Sequence, residues 1–406
     1  MNHCIKDKHE SHFTKPKYEV ADILRNNIDK IGKISKDKWD VVNAVISCRT
    51  SKLGGHVLKC DSCDYEEHSY NSCRNRHCPK CQTLKKLKWI DERIKELLPI
   101  EYFHVVFTIP DFFNPAALQN KKVFYNILFK SVKETLLESA ENKKNLGAKI
   151  GFISILHTWS QTLLDHPHIH CVVTGGGLSH DNIKWISCKK KFLIPVALLS
   201  KLFKGKFLYY LKEAYKNNQL IFEGKIKRYK NTNEFQLLID KGYYSKWVVF
   251  AKKPFAGPEQ VIKYLGKYTH RVAIGNSRIV DISDNAVQFK WKDYRDESKQ
   301  KIMTVAIEEF IRRFLLHVFP KRFVRIRFYG FLSNVNKKEK LGILKTLLIK
   351  QIKNNSKNVS DENCGNEKFE ELFFRLTGID ITHCPQCKTG ILYIAGEVPK
   401  KNIDSS

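Results

Sequence analysis

Two histidines one residue apart, His168 and His170, sit in the stretch His166-Pro-His-Ile-His-Cys-Val-Val173, and a third, His157, lies eleven residues before the first of them. In a β-strand successive side chains point to opposite faces, so His168 and His170 share one face while Ile169 turns to the other. An antiparallel return of the apolar run Gly151-Phe-Ile-Ser-Ile-Leu156 brings His157 beside the pair. Neutral imidazoles ligate divalent ions. Three of them leave coordination positions open, as a catalytic ion requires.

Sulfur ligands form a second group. Cys60-Asp-Ser-Cys63 and Cys78-Pro-Lys-Cys81 are Cys-x-x-Cys knuckles separated by fourteen residues, a spacing that suits one tetrahedral zinc on Cys60, Cys63, Cys78 and Cys81. Such an ion contributes roughly 10–16 kcal/mol to folding, so the segment needs little core of its own. Cys73 and His77 are surplus to one site. Either they replace a member of the four, or with His56 or His68 they serve a second ion, or they face DNA. Arg74, Arg76, Lys80, Lys85, Lys86 and Lys88 surround the knuckles and suit phosphate contacts. Cys384-Pro-Gln-Cys387 is half a knuckle; two thiolates do not close a site, so either His383 or Cys364 helps or the pair is vestigial. Cys4, Cys48, Cys171, Cys188 and Cys364 stand apart and read as small buried apolar residues. Seven of the twelve cysteines fall in the two clusters, which points to metal in a reducing compartment rather than to a disulfide framework.

The third stretch runs from Lys253-Pro-Phe through Pro258-Glu-Gln to Tyr264-Leu-Gly-Lys-Tyr268-Thr-His-Arg271. Pro258 and Glu259 suit the first turn of a helix. On that helix Tyr264 and Tyr268 are neighbours about 5–6 Å apart, and Lys263, Lys267, His270 and Arg271 flank them. Alone, Val261, Tyr264, Leu265 and Tyr268 also make an ordinary apolar stripe. Combined with a histidine-bound ion, the tyrosines gain a reaction: phosphoryl transfer needs a nucleophilic oxygen and a divalent ion that offsets developing charge. A free phenol, with a pKa of about 10, is a poor nucleophile at neutral pH. The ion and nearby cations must lower that barrier.

The elements that position these groups follow from periodicity. Residues 1 to about 55 read as a basic helical lead-in with Val20, Ile23, Leu24, Ile28 and Ile31 at helical spacing. Leu84–Leu98, 117 to about 141 and Glu308–Val318 read as helices. Tyr102–Thr108, the two histidine-bearing runs, Leu220–Phe222, Phe235–Ile239, Trp247–Ala251, Val287–Trp291, Met303–Ile307 and Val324–Phe328 read as strands. Along 321–328 basic and apolar residues alternate, so one face either meets phosphates or is merely solvated. Mostly short connections predict an α+β fold with an antiparallel sheet. The chain divides into a lead-in and zinc-ribbon-like domain (1–98), a catalytic domain (99–335) and a C-terminal region (336–406) with a polar linker over about 353–367. A formal charge of +29 spread along 406 residues attracts a polyanion, most simply nucleic acid. No apolar run reaches the ~18 residues that span a bilayer, and the start lacks a signal-peptide apolar region. The expectation is a cytoplasmic protein.

Several long stretches occur in one order between about residues 50 and 330: Asn71–Gln82, His157-Thr-Trp-Ser-Gln161, His166–Val173 with Gly175–Gly177, Lys253–Phe255 through Ile274, and Phe289-Lys-Trp-Lys-Asp-Tyr294. With these the chain resembles the HUH endonucleases, and within them the two-tyrosine rolling-circle transposases of bacterial insertion sequences, the IS91 group, with their N-terminal zinc-binding domain. The resemblance implies an HUH nuclease domain with a central antiparallel sheet flanked by helices. His168 and His170 match the metal pair, for Mg²⁺ or Mn²⁺, and His157 falls where related relaxases keep a third histidine. Tyr264 and Tyr268 match the nucleophiles that leave a 5′-phosphotyrosine and a free 3′-OH in single-stranded DNA at the element ends and target. The sequence carries no helicase P-loop, so unwinding is expected from host machinery. Two rivals stand beside this reading: a plasmid replication initiator or relaxase with the same chemistry, against which the zinc module argues, and a non-catalytic zinc-ribbon nucleic-acid binder.

Overall fold

The computed structural model describes residues 16–188, 194–252, 266, 273–335, 337–353 and 368–401. Near the N-terminus, helices Val20–Asn26 and Lys36–Ser47 precede a hairpin of β1 (Gly55–Cys60) and β2 (Glu66–Tyr70), which leads into the helix Pro79–Lys95. Pro79 opens that helix earlier than the apolar pattern suggested, as suits a residue with a preset φ and no N–H to leave unpaired.

The centre is an antiparallel sheet ordered β11-β4-β5-β3-β7, with β6 beside β5. Its strands are β3 (Tyr102–Thr108), β4 (Lys149–Trp159), β5 (Asp165–Leu178), β6 (Trp185–Ser187), β7 (Val248–Lys252) and β11 (Ile326–Gly330). β4 and β5 are buried almost end to end, because helices cover both faces of the sheet. On one face Phe107, Ile169, Cys171 and Val173 pack with Phe124, Leu128, Phe203 and Phe207 of helices Lys121–Glu141 and Val196–Lys216. On the other, Tyr102, Ile153, Ile155 and Val172 meet Trp89 of Pro79–Lys95 and Leu344 and Leu348 of helix Lys337–Lys353. Three glycines let β5 lie close to its neighbours: a Cβ at Gly176 would stand 2.5 Å from the Ile186 carbonyl oxygen. The α+β class with a central antiparallel sheet is therefore as expected.

A second sheet, β8 (Ile279–Ile282), β9 (Ala286–Asp293) and β10 (Lys299–Ala306), packs Val287 and Phe289 against helix Ile307–Leu316. The third sheet is ordered β12-β1-β2 and takes β12 (Leu392–Val398) from the C-terminal region. Residues 392–398 thus pair with the N-terminal hairpin.

Other expectations change for local reasons. Phe235–Ile239 lies inside helix Thr232–Tyr244, where the Asn231 side chain accepts from the Asn233 and Glu234 amides and caps the helix. The apolar positions 235, 238, 239 and 242 have helical spacing. Leu220–Phe222 joins no strand ladder. Its Ile221 N–H donates to Asn120 Oδ1 at 2.7 Å and its carbonyl accepts from Asn120 Nδ2 at 2.8 Å, so a side-chain amide takes the place of a strand. The long helix expected over 117–141 is split at Asn120 into Asn114–Gln119 and Lys121–Glu141. The basic alternation of 321–328 does not form a phosphate face. Arg325 is buried beside the Phe319 ring, and Arg327 lies over Phe129 at 4.0 Å and donates to Asn126. Among the described residues no helix is long and apolar enough to cross a membrane.

Candidate metal centre and catalytic site

The β4–β5 register sets His157 directly opposite His168 and Ile155 opposite His170. All three imidazoles occupy the sheet face that Ile153, Ile155 and Val172 share with helix Pro79–Lys95. Ring centroids lie 5.3 Å apart for His157–His168, 4.3 Å for His157–His170 and 4.8 Å for His168–His170. One ring nitrogen from each falls within 4.8 Å of the others.

The surroundings orient these rings. Nδ1–H of His168 donates to the His166 carbonyl at 2.6 Å, which leaves its Nε2 lone pair for an ion. His170 Nδ1 lies 2.8 Å from Nε2 of His104 on β3, with the two rings nearly coplanar at 3°. When Nδ1 of His170 carries the proton in that bond, its Nε2 bears the lone pair that can ligate an ion. Burial pushes His168 down to about 3, His104 down to about 4 and His170 well below the usual histidine range. His168 and His170 are therefore neutral, as a ligand must be. His104 escaped sequence reasoning because it shares no spacing with the pair. Its only signal was a lone imidazole in the apolar strand 102–108, next to β5.

The hairpin joining β4 to β5 is held from outside. Arg278 Nη2 donates to the Gln161 carbonyl at 2.6 Å, Arg313 Nη1 to that of Thr162 at 2.9 Å, and His317 Nε2 to that of Leu163 at 2.9 Å. Gln161 Nε2 donates to the Tyr294 hydroxyl at 3.3 Å. These contacts join the 157–161 and 289–294 motifs.

The cysteines group differently from expectation. Cys60, Cys63, Cys78 and Cys81 do not converge. Cys78 and Cys81 gather with Cys48 and Cys73, while Cys60 and Cys63 gather with Cys384 and Cys387. The reason is the β1–β2 hairpin. Cys60 and Cys63 lie at its tip, whereas Cys73 follows its far end, where Gly55 pairs with Tyr70. Five strand residues separate the two ends by roughly 17 Å. Cys48 reaches the far end because Arg49 N–H donates to the Asn71 carbonyl, so it is a cluster member and not a lone apolar residue. In this group Sγ of Cys81 lies 3.5 Å from Cys48 and 3.6 Å from Cys73. Cys4 and Cys364 lie outside the described residues.

His77 joins neither group: Nε2 accepts the Phe319 N–H at 3.1 Å and Nδ1 lies 3.1 Å from Asn75 Oδ1. Arg76, expected at DNA, donates instead to the carbonyls of Phe323 and Pro320. Lys80 and Lys85 likewise bond within the fold, to Glu19 and to the Arg74 carbonyl. Arg74 is exposed. His77 and Arg76 thus tie the cysteine module to the segment after helix Ile307–Leu316.

Tyr264, Tyr268, Lys263, Lys267 and Arg271 lie outside the described residues. Gly266, between the tyrosines in sequence, is helical, and a Cβ there would stand 2.2 Å from Cδ1 of Ile90. Ile90 belongs to helix Pro79–Lys95 and packs with the core on the histidine face.

Residues 151–340 match a family model described as "Putative transposase", and residues 19–109 match the transposase zinc-binding domain. The chain is 46% identical over 376 residues to the protein named "Putative transposase y4qJ" of Sinorhizobium fredii, covering 92% of this chain and 93% of that one. It is 26% identical over 302 residues to the transposase for insertion sequence element IS801 of Pseudomonas savastanoi pv. phaseolicola, covering 73% and 70%. No solved structure matches. With this zinc-binding domain and this relative along nearly its whole length, the chain belongs to the IS91-type family of insertion-sequence transposases.

Proposed function

We propose that this transposase nicks and rejoins single-stranded DNA through a 5′-phosphotyrosine, with His157, His168 and His170 holding Mg²⁺ or Mn²⁺ and Tyr264 and Tyr268 as nucleophiles. The observation that carries the reading is the convergence of three imidazoles on one point of the central sheet. They lie on the face covered by the helix that Gly266 touches. Three nitrogen donors fit a borderline cation better than a hard one, which favours Mn²⁺ of the two. When bound, the ion supplies Lewis-acid polarisation of the scissile phosphate.

This chain's own residues do the rest. His166 and His104 hold the imidazoles with Nε2 toward the ion, and the pinned 160–163 turn keeps β4 and β5 in register. The phenolic oxygen of one tyrosine bonds to phosphorus as the bond to the 3′ oxygen breaks. The phenol gives up its proton, and the departing oxygen takes one up as a 3′-OH. Attack by another 3′-OH on the phosphotyrosine restores the phenol and joins strands. A second tyrosine permits a further transfer without release. Cys48, Cys73, Cys78 and Cys81 hold a structural zinc. The +29 charge attracts the DNA, Arg74 with Lys263, Lys267 and Arg271 supply phosphate contacts, and host machinery supplies unwound strands. The match to a transposase zinc-binding domain favours this over a plasmid initiator.

The test is a covalent adduct. Single-stranded oligonucleotides carrying the element's end, incubated with protein and Mn²⁺, should give a protein–DNA band that survives denaturation. The band should vanish in the Tyr264→Phe/Tyr268→Phe variant and fade in His168→Ala. Adduct formation by all of these at the parent's level would sink the assignment and leave a non-catalytic DNA binder.

A further inference from the structure

We propose that Cys60, Cys63, Cys384 and Cys387 bind a second zinc ion, which clasps the C-terminal segment onto the N-terminal module and completes a zinc ribbon split between the two ends of the chain. The family's zinc-binding match covers residues 19–109 and so contains only half of these ligands.

The geometry is that of a tetrahedral thiolate site. Sγ of Cys60 lies 3.7 Å from Cys387 and Sγ of Cys63 lies 3.7 Å from Cys384, pairs 327 and 321 residues apart in sequence. All four sulfurs fall within 4.8 Å of one another. A zinc–sulfur bond of about 2.3 Å in a tetrahedron implies sulfurs about 3.8 Å apart, whereas a disulfide needs about 2.05 Å. Both knuckles are also built around their sulfurs. The Ser62 N–H donates to Cys60 Sγ at 3.4 Å, that of Gln386 to Cys384 Sγ at 3.4 Å and that of Gly390 to Cys387 Sγ at 3.2 Å. Such bonds orient thiolate ligands. Gly390 is required by the packing, since a Cβ there would stand 2.3 Å from Cys60 Sγ. Asp61 Oδ1 accepts the Ile391 N–H at 2.9 Å and joins one knuckle to the other.

The sheet needs such an ion. β2 has no buried residue and neither has β12, where Tyr393 and Ile394 are half exposed or more. Three thin strands with so little core do not hold by burial alone. Beyond the β1–β12 ladder, the half-exposed Arg375 pairs with Asp91 of helix Pro79–Lys95 at 2.8 Å, and ion pairs open to solvent contribute little.

Native mass spectrometry of the full chain should count two zinc ions. Cys384→Ser/Cys387→Ser should carry one, and Cys48→Ser/Cys73→Ser should keep the other. A second measurement leaves every cysteine in place. With a protease recognition sequence inserted between residues 354 and 367, the cleaved C-terminal piece should co-elute with the rest of the chain in zinc and separate on adding a chelator. One zinc per full chain, two in the Cys384→Ser/Cys387→Ser variant, or separation of the piece in the presence of zinc would each overturn the proposal.

Discussion

The histidine cluster and the cysteine clusters both gather ligand atoms within a few ångströms, yet they are built in opposite ways. The histidines stand on adjacent strands of a sheet covered on both faces, and their spacing is set by a ladder of backbone pairs that exists with or without an ion. They number three, which leaves room for a substrate oxygen. The cysteines number four in each group: Cys60, Cys63, Cys384 and Cys387 gather beside a thin, exposed sheet, and Cys48, Cys73, Cys78 and Cys81 gather between the end of helix Lys36–Ser47 and the start of helix Pro79–Lys95. In the first case the fold makes the site. On the proposed reading the ion makes the fold in the second, so metal removal should silence one region and loosen the other.

The largest expected effect tests the second half of that contrast. Removing a ligand of the local cluster with Cys48→Ser forfeits much of the roughly 10–16 kcal/mol that a structural zinc supplies. The Asn71–Gln82 stretch should lose hydrogen-exchange protection along with the ion. Retained protection would mean that the module stands on its own packing. Next comes His170→Ala, which should cut adduct formation at least ~100-fold while the thermal midpoint holds within a few degrees. A collapse of the fold instead would erase the distinction. Smaller is the effect of His104→Phe, which acts through His170. It should weaken Mn²⁺ about 10–100-fold, read as a shifted metal titration of adduct yield with the plateau at saturating Mn²⁺ preserved. A lowered plateau with unchanged midpoint would assign His104 to the chemistry instead.

A last effect concerns two histidines outside the triad that tie backbone, His317 and His77. Burial pushes His317 down to about 4 and His77 down to about 3, against about 6.5 in the unfolded chain. As pH falls below 6.5 the unfolded chain takes up protons that the folded one refuses. Stability is therefore lost between about pH 6.5 and 4, by roughly 1 kcal/mol per pH unit for each histidine. Urea midpoints at pH 7 and 5 should show this loss, and His317→Asn should flatten it; a midpoint that rises on acidification contradicts the assignment.

How much of this was legible in the sequence depended on whether partners were local. The pairing of His157 with His168 could be read, because one hairpin and strict alternation fix which face each occupies. The mostly short connections between elements carried the fold class. The cysteine grouping could not be read, because two Cys-x-x-Cys knuckles close in sequence are held at opposite ends of a hairpin, and their true partners are a lone Cys48 and a knuckle more than three hundred residues away. His104 and His317 were invisible for the same reason: each meets its partner only through tertiary packing. Phe235–Ile239 was misread as a strand because a short apolar run has no unambiguous period, and the deciding residue, Asn231, lies outside the run.

The β1–β12 ladder sets an order of events in the making of the protein. Gly55 pairs with Val398 and Cys60 with Leu392, so the first strand of the small sheet waits through the synthesis of more than three hundred residues before its neighbour exists. Closing so long a loop carries an entropic cost that grows only slowly with its length, but the closure itself is the most non-local strand pairing among the described residues and belongs among the slowest steps. A chain interrupted before residue 392 can build the central sheet with its histidines and still lack this fastening, which makes the ribbon a mark of a chain translated through β12.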